Sequence, residues 1–133
     1  MNYVVNSVLN TNKVWNHAVY NVYIYFNGHV YRDILDLTSA QAYEFIYKAS
    51  QFWKSSSASP EEYAAAYKEL AKNANNILVI TISAKLSMFY NSAMVARDMV
   101  RTEIPTIEIE ILDSETAAAA EGLIALAATQ AVN

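Results

Sequence analysis

Residues 77–82 read Ile-Leu-Val-Ile-Thr-Ile, an almost unbroken apolar run of strand length. Such a run has no polar face to turn toward water. It belongs in a strand covered on both sides, as in a parallel sheet flanked by helices. The residues that follow agree with this. Residues 83–87 make a short loop, after which Leu86, Phe89, Tyr90, Ala93 and Val100 recur at helical spacing, so a helix is predicted to run to about Val100. Residues 106–111 (TIEIEI) alternate strictly, which predicts a strand with one wet face carrying Glu108 and Glu110. Asp113-Ser114 is a turn, and the Ala-rich stretch 115–131 is a final helix.

The first half of the chain carries more local signals. Residues 3–6 suggest a short strand, and 7–17 are polar with no clear pattern. Residues 19–26 (VYNVYIYF) are β-branched and aromatic and predict a strand. Asn27-Gly28 then marks a hairpin, with 29–32 returning. Thr38 and Gln41 form a capping box whose helix is expected to reach about Ala49 and to bury Tyr43, Ile46 and Tyr47. Residues 51–58 are expected to be a loop. Ser59-Pro60-Glu61-Glu62 is a second helix start: Ser59 can cap, Pro60 sits where its missing N–H costs nothing, and Glu62 can reach back. Tyr63, Tyr67, Leu70 and Ala74 mark the buried face of that helix. Strands alternating with helices give an α/β fold with a mainly parallel sheet flanked by helices. The 133 residues suit a single domain, 1–133.

Composition narrows the function. With hydrophobic residues at 54%, the chain is too apolar to be disordered, and no run is long enough to span a membrane. The formal charge of −4 argues against nucleic acid as a partner. No basic stretch followed by an apolar core opens the chain, and cysteine is absent, so the cytoplasm is the simplest compartment. Without cysteine there is no thiolate nucleophile, disulfide or Cys-ligated metal. His17 and His29 lack metal-ligand spacing, and no G-x-S-x-G elbow or Gly-rich phosphate loop is present. No metal or cofactor is expected, and the chain is not expected to be an enzyme.

The serines carry most of the chemical information. Ser55, Ser56, Ser57 and Ser59 precede one helix, and Ser83 and Ser87 lie between the apolar strand and the next. In parallel sheets ligands bind beyond the carboxyl ends of strands, where helix N-termini offer unpaired N–H groups and partial positive charge. Hydroxyls beside such ends can hold a carboxylate or phosphate with no basic residue. Ordinary capping explains serines at helix starts equally well. Phe52 and Trp53 could line a groove, although core packing explains them too.

Several of these segments together resemble the DegV family of bacterial fatty-acid-binding proteins, specifically its N-terminal domain. Residues 25–33 (YFNGHVYRD) and 36–38 (DLT) are similar to the family's strand–turn–YRD stretch and the D-I-T after it. Residues 55–60 (SSSASP) stand where the family has T-S-Q-P-S-P. Residues 82–93 (ISAKLSMFYNSA) resemble I-S-S-x-L-S-G-T-Y-Q-S-A. Asp113-Ser114 with Gly122 resembles D-S…G-x-G, and residues 3–7 (YVVNS) resemble I-V-T-D-S.

The resemblance implies a non-catalytic carrier that buries a long-chain fatty acid in an apolar tunnel and presents its carboxylate to a fatty-acid kinase. It places Ser55 at the family's carboxylate-binding threonine and either Ser83 or Ser87 in the second hydroxyl loop. Ser56 and Phe89 complete the expected ligand-binding set. The chain departs from the family at Met88-Phe89, where the family has Gly-Thr, at Asn6, at Ser57-Ala58 and at Ala120. Family members also carry a C-terminal domain that closes the tunnel, and none is expected here. A lone first domain would leave lipid-facing surface open, which favours homo-oligomers. Two other readings stand beside this one. One is a degenerate interaction domain whose site Met88-Phe89 has filled. The other is a phospho-carrier or kinase subunit of related architecture, resembling dihydroxyacetone-kinase-type domains, for which a reactive histidine would be needed.

Overall fold

The computed structural model describes residues 7–8, 16–17, 22–33, 35–48 and 53–131. Its elements in order are β1 (Ser7–Val8), β2 (Asn16–His17), β3 (Tyr23–Phe26), β4 (His29–Arg32), α1 (Ser39–Lys48), β5 (Lys54–Ser56), α2 (Pro60–Ala71), β6 (Asn76–Thr81), α3 (Phe89–Glu103), β7 (Glu108–Asp113) and α4 (Ala119–Ala131). The strand expected at 3–6, residues 19–21 and Phe52 lie outside the described residues.

The apolar run forms β6, parallel to β7, with Ile77 opposite Ile109 and Thr81 opposite Asp113. Between them α3 makes a βαβ crossover. Ile77, Val79 and Ile80 are buried, as a strand covered on both faces requires. β7 keeps its alternation: Glu108 and Glu110 face water and Ile109 is buried. The helix pair α2 and α3 closes the core with Tyr63, Tyr67 and Leu70 against Ala93, Ala96 and Val100. The alanines let α3 approach closely, and the Tyr67 hydroxyl donates to the carbonyl of Ala93 at 3.5 Å. Both fold class and core are therefore of the expected α/β kind.

The hairpin forms as the sequence predicts. Asn27 and Gly28 both take positive φ, 48° and 77°, the combination a two-residue turn needs to match strand twist. The capping box of α2 is complete: the Glu62 N–H donates to Ser59 Oγ at 3.3 Å and the Ser59 N–H donates to Glu62 Oε2 at 2.8 Å. The box of α1 is complete as well, with the Thr38 N–H donating to Gln41 Oε1 at 2.9 Å.

Three expectations change. Residues 54–56 are not loop but strand β5, which pairs antiparallel with β3 to give a three-stranded sheet ordered β4-β3-β5. The unfilled edge of β3 supplies the ladder that these polar residues lack as a local signal. Helix α1 buries no residue, and Tyr43, Ile46 and Tyr47, all expected to be buried, are exposed, Tyr47 at 86%. It rests on the small sheet through the neighbouring stripe: Phe45 stacks on Phe26 with ring centroids 5.1 Å apart, and Ala42 and Ile46 face Ile24 and Leu37. Finally, α3 begins at Phe89 and leaves Leu86 exposed, and α4 begins at Ala119, four residues later than expected. Glu115 and Ala118 take φ of 51° and 57°, and a chain turning left-handed there cannot yet be helix.

Candidate functional site

The parallel strands end at Thr81 and Asp113, and the loops beyond them are locked to each other. The Ser83 N–H donates to the carbonyl of Thr116 at 2.8 Å. The Asp113 carboxylate accepts the N–H of Glu115 at 2.9 Å and that of Ala84 at 3.2 Å. Ser114 Oγ accepts the N–H of Thr116 at 3.2 Å. The Ser83 carbonyl accepts the N–H groups of Leu86 and Ser87, and its side chain accepts the N–H of Lys85 at 3.3 Å. Ser83 is buried, and its N–H, carbonyl and Oγ all take part in shaping this loop.

That shape sends Ser87 the other way. Ser87, Met88 and Phe89 line a cleft of about 650 Å³ together with Ile82 and Leu86. This lies within the ~300–1,000 Å³ usual for small-molecule sites. The opposite wall is Ser55, Ser56 and Ser57 with Val22 from the start of β3, and Ala117 and Ala118 form a third side. The two hydroxyl-bearing segments singled out in the sequence, far apart in the chain, thus meet across one cavity.

Strand pairing separates the serines further. Ser55 lies opposite Ile24 and shares its face, the face of Val22. Ser56 lies opposite Tyr23, on the other face, and its Oγ is 3.3 Å from the Tyr25 hydroxyl. Ser55, Ser56, Ser57 and Ser87 all line the cleft, with Ser55 on the strand face of Val22 and Ser56 on that of Tyr23.

The two helix starts also differ. Helix α2 is fully capped by Ser59 and Glu62. Helix α3 has Met88 as N-cap and no side-chain cap. Its first-turn N–H groups and the positive end of its dipole adjoin the cleft. None of the described lining residues is charged. Neutral hydroxyls, a helix start and apolar side chains thus share one cleft, a combination that can accept an anion without a basic residue.

Phe89 is 3% exposed and packs into the core, so it forms a floor, while Met88 is 60% exposed at the rim. The cavity stands open with both side chains in place. Val22, Leu86, Thr116, Ala117 and Ala118 carried no chemical signal in the sequence; only contact across the chain reveals them. His29 is exposed on the hairpin, and the side chain of His17 lies outside the described residues. Among the described residues no cluster of three or more His, Cys, Asp or Glu could hold a metal, and no helix is long and apolar enough to cross a membrane.

The sequence model describing uncharacterised proteins of the DegV family matches residues 10–133. The chain belongs to the DegV family. A DegV domain-containing protein of Clostridium perfringens is 29% identical over 100 residues, covering 75% of this chain and 35% of that protein. A DegV family protein of Ruminococcus gnavus, solved with vaccenic acid, superposes with a TM-score of 0.76 at 30% identity, over 83% of this chain and 38% of the other. The Streptococcus pneumoniae fatty acid kinase B3 protein, loaded with linoleic acid, gives a TM-score of 0.67 at 26% identity, over 84% of this chain and 43% of the other. This DegV chain thus spans roughly a third to two-fifths of the length of these proteins.

Proposed function

We propose that this DegV chain binds a long-chain fatty acid and presents its carboxylate to a fatty-acid kinase. The observation that carries the reading is the cleft itself. Its two hydroxyl-bearing walls meet at an uncapped helix N-terminus, with apolar side chains around them and no charged residue among the described lining. Ser55 and Ser87 donate hydrogen bonds to the carboxylate, the N–H groups at the start of α3 add to them, and the acyl chain runs along Val22, Ile82, Leu86 and Phe89. The fatty acids held by the Ruminococcus gnavus and Streptococcus pneumoniae proteins support this choice of ligand, and the kinase association of the latter supports the choice of partner.

On this reading the chain forms and breaks no bond and leaves the chemistry to its kinase partner. It works in the cytoplasm, where a kinase finds its phosphate donor. Native mass spectrometry with solvent extraction tests the proposal. A bound mass matching a fatty acid, lost in the Ser55→Ala/Ser87→Ala variant, is the expected result. A protein that stays unliganded after incubation with vaccenic and linoleic acids would refute it and favour an interaction domain.

A further inference from the structure

The wall formed by residues 55–57 is held by two side chains that do not line the cleft. β5 lies against β3, with Tyr23 opposite Ser56. The Tyr23 hydroxyl donates to Glu62 Oε1, a contact 39 residues apart in sequence. The other carboxylate oxygen, Oε2, accepts the main-chain N–H of Ser59 at 2.8 Å, and the Glu62 N–H donates to Ser59 Oγ at 3.3 Å. The connections close a ring: Tyr23, across the ladder to Ser56, along the chain to Ser59, through Glu62 and back to Tyr23. Neither Tyr23 nor Glu62 appears among the cleft-lining residues.

Capping alone does not require this ring. The other capping box shows the simpler arrangement, where Gln41 Oε1 receives only the N–H and Oγ1 of Thr38 among the described residues. Glu62 makes the same cap with one oxygen and uses the second to reach Tyr23 on β3, the strand that pairs with β5. That contact is also the foremost reason the Tyr23 phenol holds its proton more tightly than an ordinary tyrosine.

We infer that Tyr23 and Glu62 are a positioning pair, a brace that fixes the 55–57 segment so that Ser55 faces the cleft. As a statement about ligand binding this rests on the fatty-acid reading above; as a statement about the segment's order it stands alone. A charge-assisted hydrogen bond made by a partly buried phenol restrains an otherwise short, polar, three-residue edge strand. Without it, the described hold on the segment is the three-residue ladder to β3, the exposed Ser56–Tyr25 hydroxyl contact and the buried Ala58 that follows.

The test uses Tyr23→Phe, Ser55→Ala and the two combined, with Glu62→Gln as a second variant. The first readout is amide hydrogen exchange in the unliganded protein. In Tyr23→Phe, exchange over residues 55–59 should rise about tenfold, the scale of one lost hydrogen bond, while β6 and β7 are unchanged. The second readout is affinity for vaccenic acid. Tyr23→Phe should weaken it about tenfold in the parent, yet change it little once Ser55 is already alanine, because the brace acts through that hydroxyl. Glu62→Gln keeps an oxygen for Ser59 and an amide for the phenol, and should retain most of the order and affinity. Unchanged exchange over 55–59 in Tyr23→Phe would overturn the inference, and so would a loss of affinity equal with and without Ser55. A parent protein that binds no vaccenic acid would refute the fatty-acid reading instead, and the exchange comparison would still decide the brace.

Discussion

The Ser83 N–H donates to the carbonyl of Thr116 at 2.8 Å, joining the loop after one parallel strand to the loop after its neighbour. Asp113 strengthens the same seam by accepting from Ala84 and Glu115. Asp113→Ala leaves those two N–H groups without their acceptor. It should lower stability by about 1–3 kcal/mol in urea unfolding, with Asp113→Asn losing less because its amide oxygen still accepts. Because the seam also places Ser87, fatty-acid affinity should fall in the same order.

The two capping boxes should respond differently to the same kind of change. Helix α2 carries buried Tyr63, Tyr67 and Leu70, so its cap is coupled to the core. Ser59→Ala should reduce global stability by about 1 kcal/mol. Helix α1 buries nothing. Thr38→Ala should leave the unfolding midpoint nearly unchanged and appear only as faster hydrogen exchange within residues 39–48.

A carboxylate held by hydroxyls and main-chain N–H groups has no formal charge partner to screen. Affinity for vaccenic or linoleic acid should therefore change less than about threefold between roughly 0.05 and 0.5 M salt. A steep salt dependence, followed by isothermal titration, would point to a basic residue in the head-group site.

Much of the fold was legible because its signals are local. The run at 77–82 has no polar side to expose, and both capping boxes complete themselves within four residues. What was not legible depends on partners distant in sequence. Lys54, Ser55 and Ser56 have no strand propensity and become β5 only because β3 offers an open edge. Helix α1 shows two adjacent apolar stripes that share Ile46, and the sequence could not say that Ala42 and Phe45 would be turned to the small sheet rather than Tyr43 and Tyr47.

The site divides in the same way. Hydroxyls near two helix starts were visible in the sequence, and they do meet across the cleft. Which serine is free was not visible, because that depends on main-chain bonding: Ser83 is taken up by its loop and by Thr116, while Ser87 is turned toward the cavity. Tyr23 and Glu62 gave no joint signal at all, being 39 residues apart.

Glu121 makes a prediction about pH. It stands in the first turn of α4, is 0% exposed, and neither carboxyl oxygen has a hydrogen-bond partner among the described residues. Burial raises its pKa from 4.5 to about 7. The folded protein thus keeps a proton that the unfolded chain has already released between those values. Stability from the protonated form is fully present below the unfolded value, falls as pH rises through the folded one, and levels off above it. Glu121→Met keeps the length and removes the charge. It should be more stable than the parent by about 1–3 kcal/mol at pH 8, and the advantage should shrink toward pH 5 as the parent's folded carboxyl becomes protonated. Urea unfolding of both proteins across that range checks this. Parallel pH profiles for parent and variant would mean that Glu121 finds a partner or water in solution.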